Sequence, residues 1–299
     1  MGRKQYGKRL RLSKKEVEVV EKYRAGKIVT TEPFKTHNEQ PKILLLDIET
    51  APLSAFLWRL KTDYVNPSML QNSNWWILSW SAKWLFERDM MNDVVTSEEA
   101  LNEDDERVSA SLWKLVNEAD IIITHNGKSF DHKMLNMRWV MHGFMPPAPF
   151  RIIDTYQVAR SNFLFPSYKL DYIAKELGFG GKVKHEGFGM WKKCLLGEEE
   201  ALTNMVKYND GDVFILEDVY LIFRPWIKNH PNIGVYTESE APICSACGSP
   251  HLTREGEYRT NVSVFKNFRC DGCGSPYNRQ RKNILPKEIR SKLVSGIPG

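Results

Sequence analysis

From Lys42 to Ile48 the chain reads KILLLDI, five apolar positions of which four are consecutive, and such a run predicts a strand buried on both faces. A second strand, or one arm of a hairpin, is predicted in WWILSWSAKWLF, residues 75–86. DIIITHN, 120–126, reads as a short β-branched strand, and FRII, 150–153, as another. Between them the apolar spacing changes to the helical period. Helices are predicted over 105–118, over FDHKMLNMRWVMHG with Gly143 as its close, and over 155–162, 169–177 and 198–223. Strands followed by helices indicate an α/β domain with a mixed sheet flanked by helices. Ahead of it, 13–25 reads as a helix with Val17, Val20 and Tyr23 on one stripe, Ser13 as N-cap and Glu16 three residues on. HNEQP, 37–41, reads as the linker into the main domain, and NHPN, 229–232, as its end. The expected organisation is a basic arm over 1–40, an α/β domain over 41–232, a cysteine-bearing segment over 240–280 and a basic tail over 281–299.

Composition changes this picture little. The 42% hydrophobic share and nine Trp in 299 residues suit a packed core and exclude a disordered chain. Charge says more through its placement than through its net of +5. Arg3, Lys4, Lys8, Arg9, Arg11, Lys14 and Lys15 all precede the first acid, Glu16, while Arg279, Arg281, Lys282, Lys287, Arg290 and Lys292 crowd the other end. Basic ends suit a polyanionic partner, although a solvated tail has the same appearance. The amino terminus is too charged for a signal peptide, and no apolar run nears the roughly 20 residues of a membrane span. A soluble, cytoplasmic protein is expected, with no membrane partner. Four of the five cysteines fall into two close pairs, with Cys194 apart as a buried thiol.

The run LLLDIET poses the first chemical question. Alternation along a strand puts Asp47 and Glu49 on one face, where two carboxylates repel unless a cation lies between them or the strand ends in solvent. A divalent metal is one explanation, and a surface strand end is the other. Asp131 follows THNGKSF, near the carboxyl end of the 120–126 strand, where α/β folds place active groups and where a lone acid also serves as a helix cap. Tyr208 and Asp212 stand four apart on a predicted helix and so share a face. Asp154 and Asp171 fall where helix caps are expected, and Asp210 lies off the Tyr208 and Asp212 face. The glycine-rich stretch 178–191, with Lys182, Lys184 and His185, reads as a loop, either mobile beside a phosphate backbone or an ordinary surface loop.

Taken in order, DIET, HNGKSFD and YNDGD resemble the three motifs of the DEDD superfamily of 3′-to-5′ exonucleases, in its tyrosine subtype. The histidine subtype would carry His where this chain has Lys207. The resemblance covers about 41–226 and implies a ribonuclease H-like fold, two Mg²⁺ or Mn²⁺ ions and hydrolysis of a terminal phosphodiester. It implies Asp47 as the bridge between the ions and Glu49 and Asp212 as ligands beside the attacking water. Asp131 would support the other ion, directly or through water, and Tyr208 would orient the attacking water. Asn126 would position the terminal nucleotide, or else tie down its loop.

CSAC, with Cys244 and Cys247, and CDGC, with Cys270 and Cys273, are paired knuckles, each followed by glycine. Four thiolates so spaced close a tetrahedral Zn²⁺ site with no open position, and alternating stretches such as TNVSVFKNF give the segment a resemblance to a zinc ribbon. Redox cysteines are the alternative. With Arg254, Arg259, Lys266, Arg269 and Arg279 around it, the ribbon reads as a nucleic-acid contact, or as a cap on the main domain or a contact for another protein. The whole resembles the stand-alone exonucleases of bacteriophages, acting on DNA slightly in preference to RNA. Two rivals stay open: a non-catalytic nucleic-acid-binding module, and a structure-specific endonuclease using the same acids.

Overall fold

Strand β1, Ile43–Thr50, lies at the centre of a five-stranded sheet of order β3-β2-β1-β4-β5. The remaining strands are β2, Ile77–Trp84; β3, Met91–Val94; β4, Ile121–Thr124; and β5, Arg151–Asp154. β1 pairs antiparallel with β2 and parallel with β4, β2 pairs antiparallel with β3, and β4 pairs parallel with β5. A central strand covered on both faces has no polar side to spare, which is why Leu44, Leu45 and Leu46 run consecutively and are fully buried. The structure is a computed structural model that describes residues 40–71, 74–180, 186–237, 239 and 241–294. The predicted helix over 13–25, most of the linker at 37–41, and Lys182, Lys184 and His185 lie outside the described residues.

The helices follow in chain order: α1, Ser97–Leu101; α2, Glu106–Glu118; α3, Asp131–Met141; α4, Thr155–Asn162; α5, Leu170–Glu176; α6, Phe188–Leu195; and α7, Glu199–Phe223. Three elements escape the sequence reading. β3 is four residues long and half polar. α1 begins with a capping box in which Thr96 accepts from the Glu99 amide and Glu99 accepts from the Thr96 amide. The third is α6, which corrects the loop assigned to 178–191: its first turn takes up Phe188 to Trp191, and Met190 and Cys194 are buried in the core on one side. Packing, not propensity, makes this glycine-rich segment helical.

A buried charge network ties β2, α2 and α3 together. Asp105 is wholly buried and accepts from the Ile77 amide at 2.7 Å, from Arg138 Nε at 2.8 Å and from His142 Nε2 at 2.7 Å. Asp105 precedes α2 without capping it; its carboxylate is committed to Arg138 instead.

Two compact units are distinguished among the described residues, one over 42–220 and one from 221 onward. The second holds an antiparallel sheet of order β6-β7-β8, formed by Leu252–Arg259, Val264–Cys270 and Asn278–Asn283, and a short helix α8, Lys287–Arg290. Its buried apolar cluster consists of Cys244, Ala246 and Cys270, flanked by Cys247, Leu252 and Cys273. Among the described residues no helix is long and apolar enough to cross a membrane.

Candidate metal centres

The alternation of β1 places Asp47 and Glu49 on one face, and the register with β2 sets Ser81 opposite Asp47 and Ser79 opposite Glu49. That face is covered by α7. Ser79 Oγ donates to Asn209 Oδ1 at 3.3 Å, Ser81 Oγ to Asp210 Oδ1 at 2.6 Å, and Lys83 Nζ pairs with Glu217. Docked in this way, α7 delivers Asp212 to β1: one carboxylate oxygen from each of Asp47, Glu49 and Asp212 lies within 4.8 Å of the others. Asp212 is buried and the other two are half-buried. Three carboxylates this close, set partly out of water, suit a hard divalent cation with oxygen ligands and little else. The donor set therefore fits Mg²⁺ or Mn²⁺.

Asn209 touches this cluster, and the sequence reading missed it. It is fully buried, and its Nδ2 donates to Asp47 Oδ2 at 2.6 Å while its Oδ1 accepts from Ser79. The signal was present in LSWSAKW, whose Ser79, Ser81 and Lys83 alternate with Trp80, Ala82 and Trp84 and so mark a polar inner face. Asp210, off the Tyr208 and Asp212 face as expected, is spent on Ser81 and Asn92. Tyr208 is buried, with its ring edge-on to Trp191 at 5.8 Å between centroids.

Asp131 stands beside this cluster but outside the three-acid group. It is the first residue of α3 and is buried, with the backbone amides of Asp131 and of Ile48, which sits between Asp47 and Glu49 on β1, favouring its charged form. Burial pushes its pKa up to about 7, and the charge of Asp154 adds to this against the two amides. The HNG turn that leads to it is held from below. Asp154 caps α4 through the amides of Tyr156 and Gln157, and it also accepts from Asn126 N at 2.8 Å and Lys128 N at 3.2 Å. Asn126 itself has φ +69°, a left-handed conformation that Asn tolerates, and its side chain is exposed. Gly127 is obligatory, since a Cβ there would fall 2.5 Å from Thr124 Cβ. Asp171, by contrast, is no cap: Lys169 occupies that position, and Asp171 pairs with Lys175 one turn on. Cys194 is wholly buried, and burial, with the charges of Glu198 and Glu49, pushes its thiol up to about 12.

The second centre lies in the second unit. The two knuckles have the same backbone: Gly248 N donates to Cys244 O at 2.9 Å and Gly274 N to Cys270 O at 2.8 Å, with both glycines at positive φ. Each knuckle is closed again by an amide of its first cysteine, from Cys244 to Ser249 O and from Cys270 to Ser275 O. Cys244 and Cys273 sulfurs lie 3.7 Å apart, and those of Cys247 and Cys270 lie 3.6 Å apart. A tetrahedral Zn²⁺ with Zn–S bonds of about 2.3 Å has S–S edges of about 3.8 Å, so all four cysteines are already at ligand spacing. Hydrogen bonds from Cys244 and Cys247 lower the Cys273 thiol, and those from Cys244 and Cys273 raise that of Cys247, so the four sulfurs are coupled through one another.

Comparison with known proteins places these features. A model of the RNase_H superfamily matches residues 84–223, a span that contains Asp131, Tyr208 and Asp212 and starts after Asp47 and Glu49. No curated protein matches the chain. Among solved structures, the family B DNA polymerase of the hyperthermophilic archaeon Pyrobaculum calidifontis is similar at a TM-score of 0.46 and 15% identity, over 79% of this chain. The match spans 32% of the polymerase. With its mixed sheet of order β3-β2-β1-β4-β5 and flanking helices, the first unit is ribonuclease H-like.

Proposed function

We propose that this chain is a divalent-metal-dependent 3′-to-5′ exonuclease of the tyrosine DEDD type, carrying a C-terminal zinc ribbon and hydrolysing terminal phosphodiesters of nucleic acid. The observation that carries the reading is the convergence of Asp47, Glu49 and Asp212 from a central strand and a late helix. The match of residues 84–223 to the RNase_H superfamily supports it. Asp47, Glu49 and Asp212 would hold a divalent ion, which would supply Lewis-acid polarisation of the phosphate and lower the pKa of the attacking water. Everything else falls to the protein. Asn209 fixes the Asp47 carboxylate, Asp131 beside the three acids would support an ion directly or through water, and Tyr208 offers a hydroxyl that aligns the attacking water. Asn126, exposed at the turn before Asp131, meets the terminal nucleotide. In the ribbon, Cys244, Cys247, Cys270 and Cys273 would hold one structural Zn²⁺ that staples the fold beside its small cysteine-lined cluster.

The test uses single-stranded and duplex DNA and RNA labelled at either end, together with circular single-stranded DNA, in Mg²⁺ or Mn²⁺. A ladder from the 5′-labelled strand, mononucleotide from the 3′-labelled strand and an intact circle are expected. A linearised circle would replace the exonuclease with an endonuclease, and binding without any cleavage would replace it with a binding module.

A further inference from the structure

The second unit carries a charged face that neither metal centre uses. Between residues 252 and 283 it has seven Lys or Arg against three Asp or Glu. Part of that charge is compensated within the sheet, where Arg259 pairs with Glu257 at 2.6 Å and Arg269 with Glu255 at 2.9 Å. Arg279, Arg281 and Lys282, consecutive exposed cations on β8 apart from Gln280, differ: among the described residues none of them has a carboxylate partner.

Arg279 is held by aromatic rings. Its guanidinium carbon lies 4.1 Å from the Phe265 centroid and 5.7 Å from that of Tyr258. The register pairs Tyr258 directly with Phe265, so the two rings share one face of the sheet and form a platform under the cation. Stacking of this kind fixes the guanidinium plane through attraction to the ring faces and spends none of its in-plane N–H donors. An arginine with a fixed plane, unspent donors and no carboxylate partner is prepared for a planar or tetrahedral oxyanion taken two donors at a time. Arg279 covers Phe265 closely, while Tyr258 stays 48% exposed at the edge of the platform.

We propose that this face, centred on Arg279 and continued along the same side of β8 by Arg281, grips the phosphate backbone of a nucleic-acid strand without regard to sequence. The inference rests on the nucleic-acid reading above but not on cleavage. It gives the ribbon a task of its own, as a second hold on the strand separate from the carboxylate centre.

Binding tests it directly. Zinc-loaded full-length protein carrying Asp47→Asn, so that the strand stays uncut, is titrated into a fluorescent oligonucleotide without added divalent metal, and anisotropy is read over a range of NaCl concentrations. Arg279→Ala should weaken binding about 5- to 10-fold at 0.1 M salt and flatten the slope of log K against log salt by about one. Tyr258→Leu keeps every charge and should weaken binding with the slope unchanged. Arg281→Ala touches neither ring and should flatten the slope as well, which guards against a folding artefact. Affinity within twofold of the parent in all three zinc-retaining variants, or equal competition by polyglutamate and unlabelled oligonucleotide, would overturn the proposal. A chain that never cuts nucleic acid yet shows these changes would retain the proposal and lose the exonuclease.

Discussion

Asn209 governs the direction of the Asp47 carboxylate, since it joins that carboxylate to Ser79 from a position with no access to solvent. Groups that orient a metal ligand in this way typically matter 10- to 100-fold in metal affinity or activity. Asn209→Ala should therefore raise the Mg²⁺ concentration for half-maximal cleavage, or lower the rate, by about 10- to 100-fold. A metal titration of cleavage reads this, and an unchanged curve would reduce Asn209 to packing. At this scale the sequence was partly legible. Asp47, Glu49 and Asp212 were marked by strand and helix periodicity. Asn209 was not, because an amide inside YNDGD carries no sign of what it will face until the register of β2 against β1 is known. Asp131 was marked, but its displacement from the other three acids follows from the HNG turn and the Asp154 cap, contacts between segments that a single sequence does not reveal.

Helix α7 spans Glu199 to Phe223 and sets the geometry of the first centre, because the same helix that locks onto Ser79, Ser81 and Lys83 presents Tyr208 and Asp212. The two residues should respond differently to substitution. Asp212→Asn exchanges a charged ligand for a neutral amide and should abolish metal-dependent cleavage through occupancy. Tyr208→Phe removes one hydroxyl and should slow single-turnover cleavage by about 10- to 1,000-fold at unchanged metal affinity. Full speed at saturating metal for Tyr208→Phe would return that residue to the core beside Trp191. Elsewhere the elements depend on a buried ion pair. Arg138→Met on α3 strands the wholly buried Asp105 and should cost about 3–5 kcal/mol of unfolding free energy in a urea titration. A loss below about 1 kcal/mol would mean that water or His142 serves Asp105 as well. The long periodic elements, β1 and α7 above all, could be read from sequence because period and length agree. β3 was too short to show a period. α6 was hidden by glycines that tertiary packing overrides, while α1 had announced itself in the Thr96 to Glu99 capping box.

At the scale of the whole molecule, two centres built from different ligands sit in two separately packed units, and each should depend on its own ion. Protein purified without chelator should carry one Zn²⁺ per chain by elemental analysis. Cys270→Ser should lower the melting temperature of the ribbon and leave that of the ribonuclease H-like unit in place, since a structural zinc contributes folding energy only where it is bound. Absence of zinc, or collapse of both units together, would contradict this. The knuckles were legible because two Cys-x-x-Cys pairs with trailing glycines are a local pattern. The Arg279 platform was not legible, since it depends on which strands of the ribbon lie side by side.

The central claim is that Asp47, Glu49 and Asp212 make one divalent-metal site that cuts from the 3′ end. Its most direct measurement follows a 5′-labelled single strand with the wild type and with Asp47→Asn across a Mg²⁺ titration. The wild type should give a ladder that shortens from the 3′ end and saturates with Mg²⁺. With Asp47→Asn the rate should be lower by at least about 10³-fold and not restored by excess metal, as for loss of a metal ligand on which the attacking water depends. A variant that cleaved at the wild-type rate with the same Mg²⁺ dependence would contradict it.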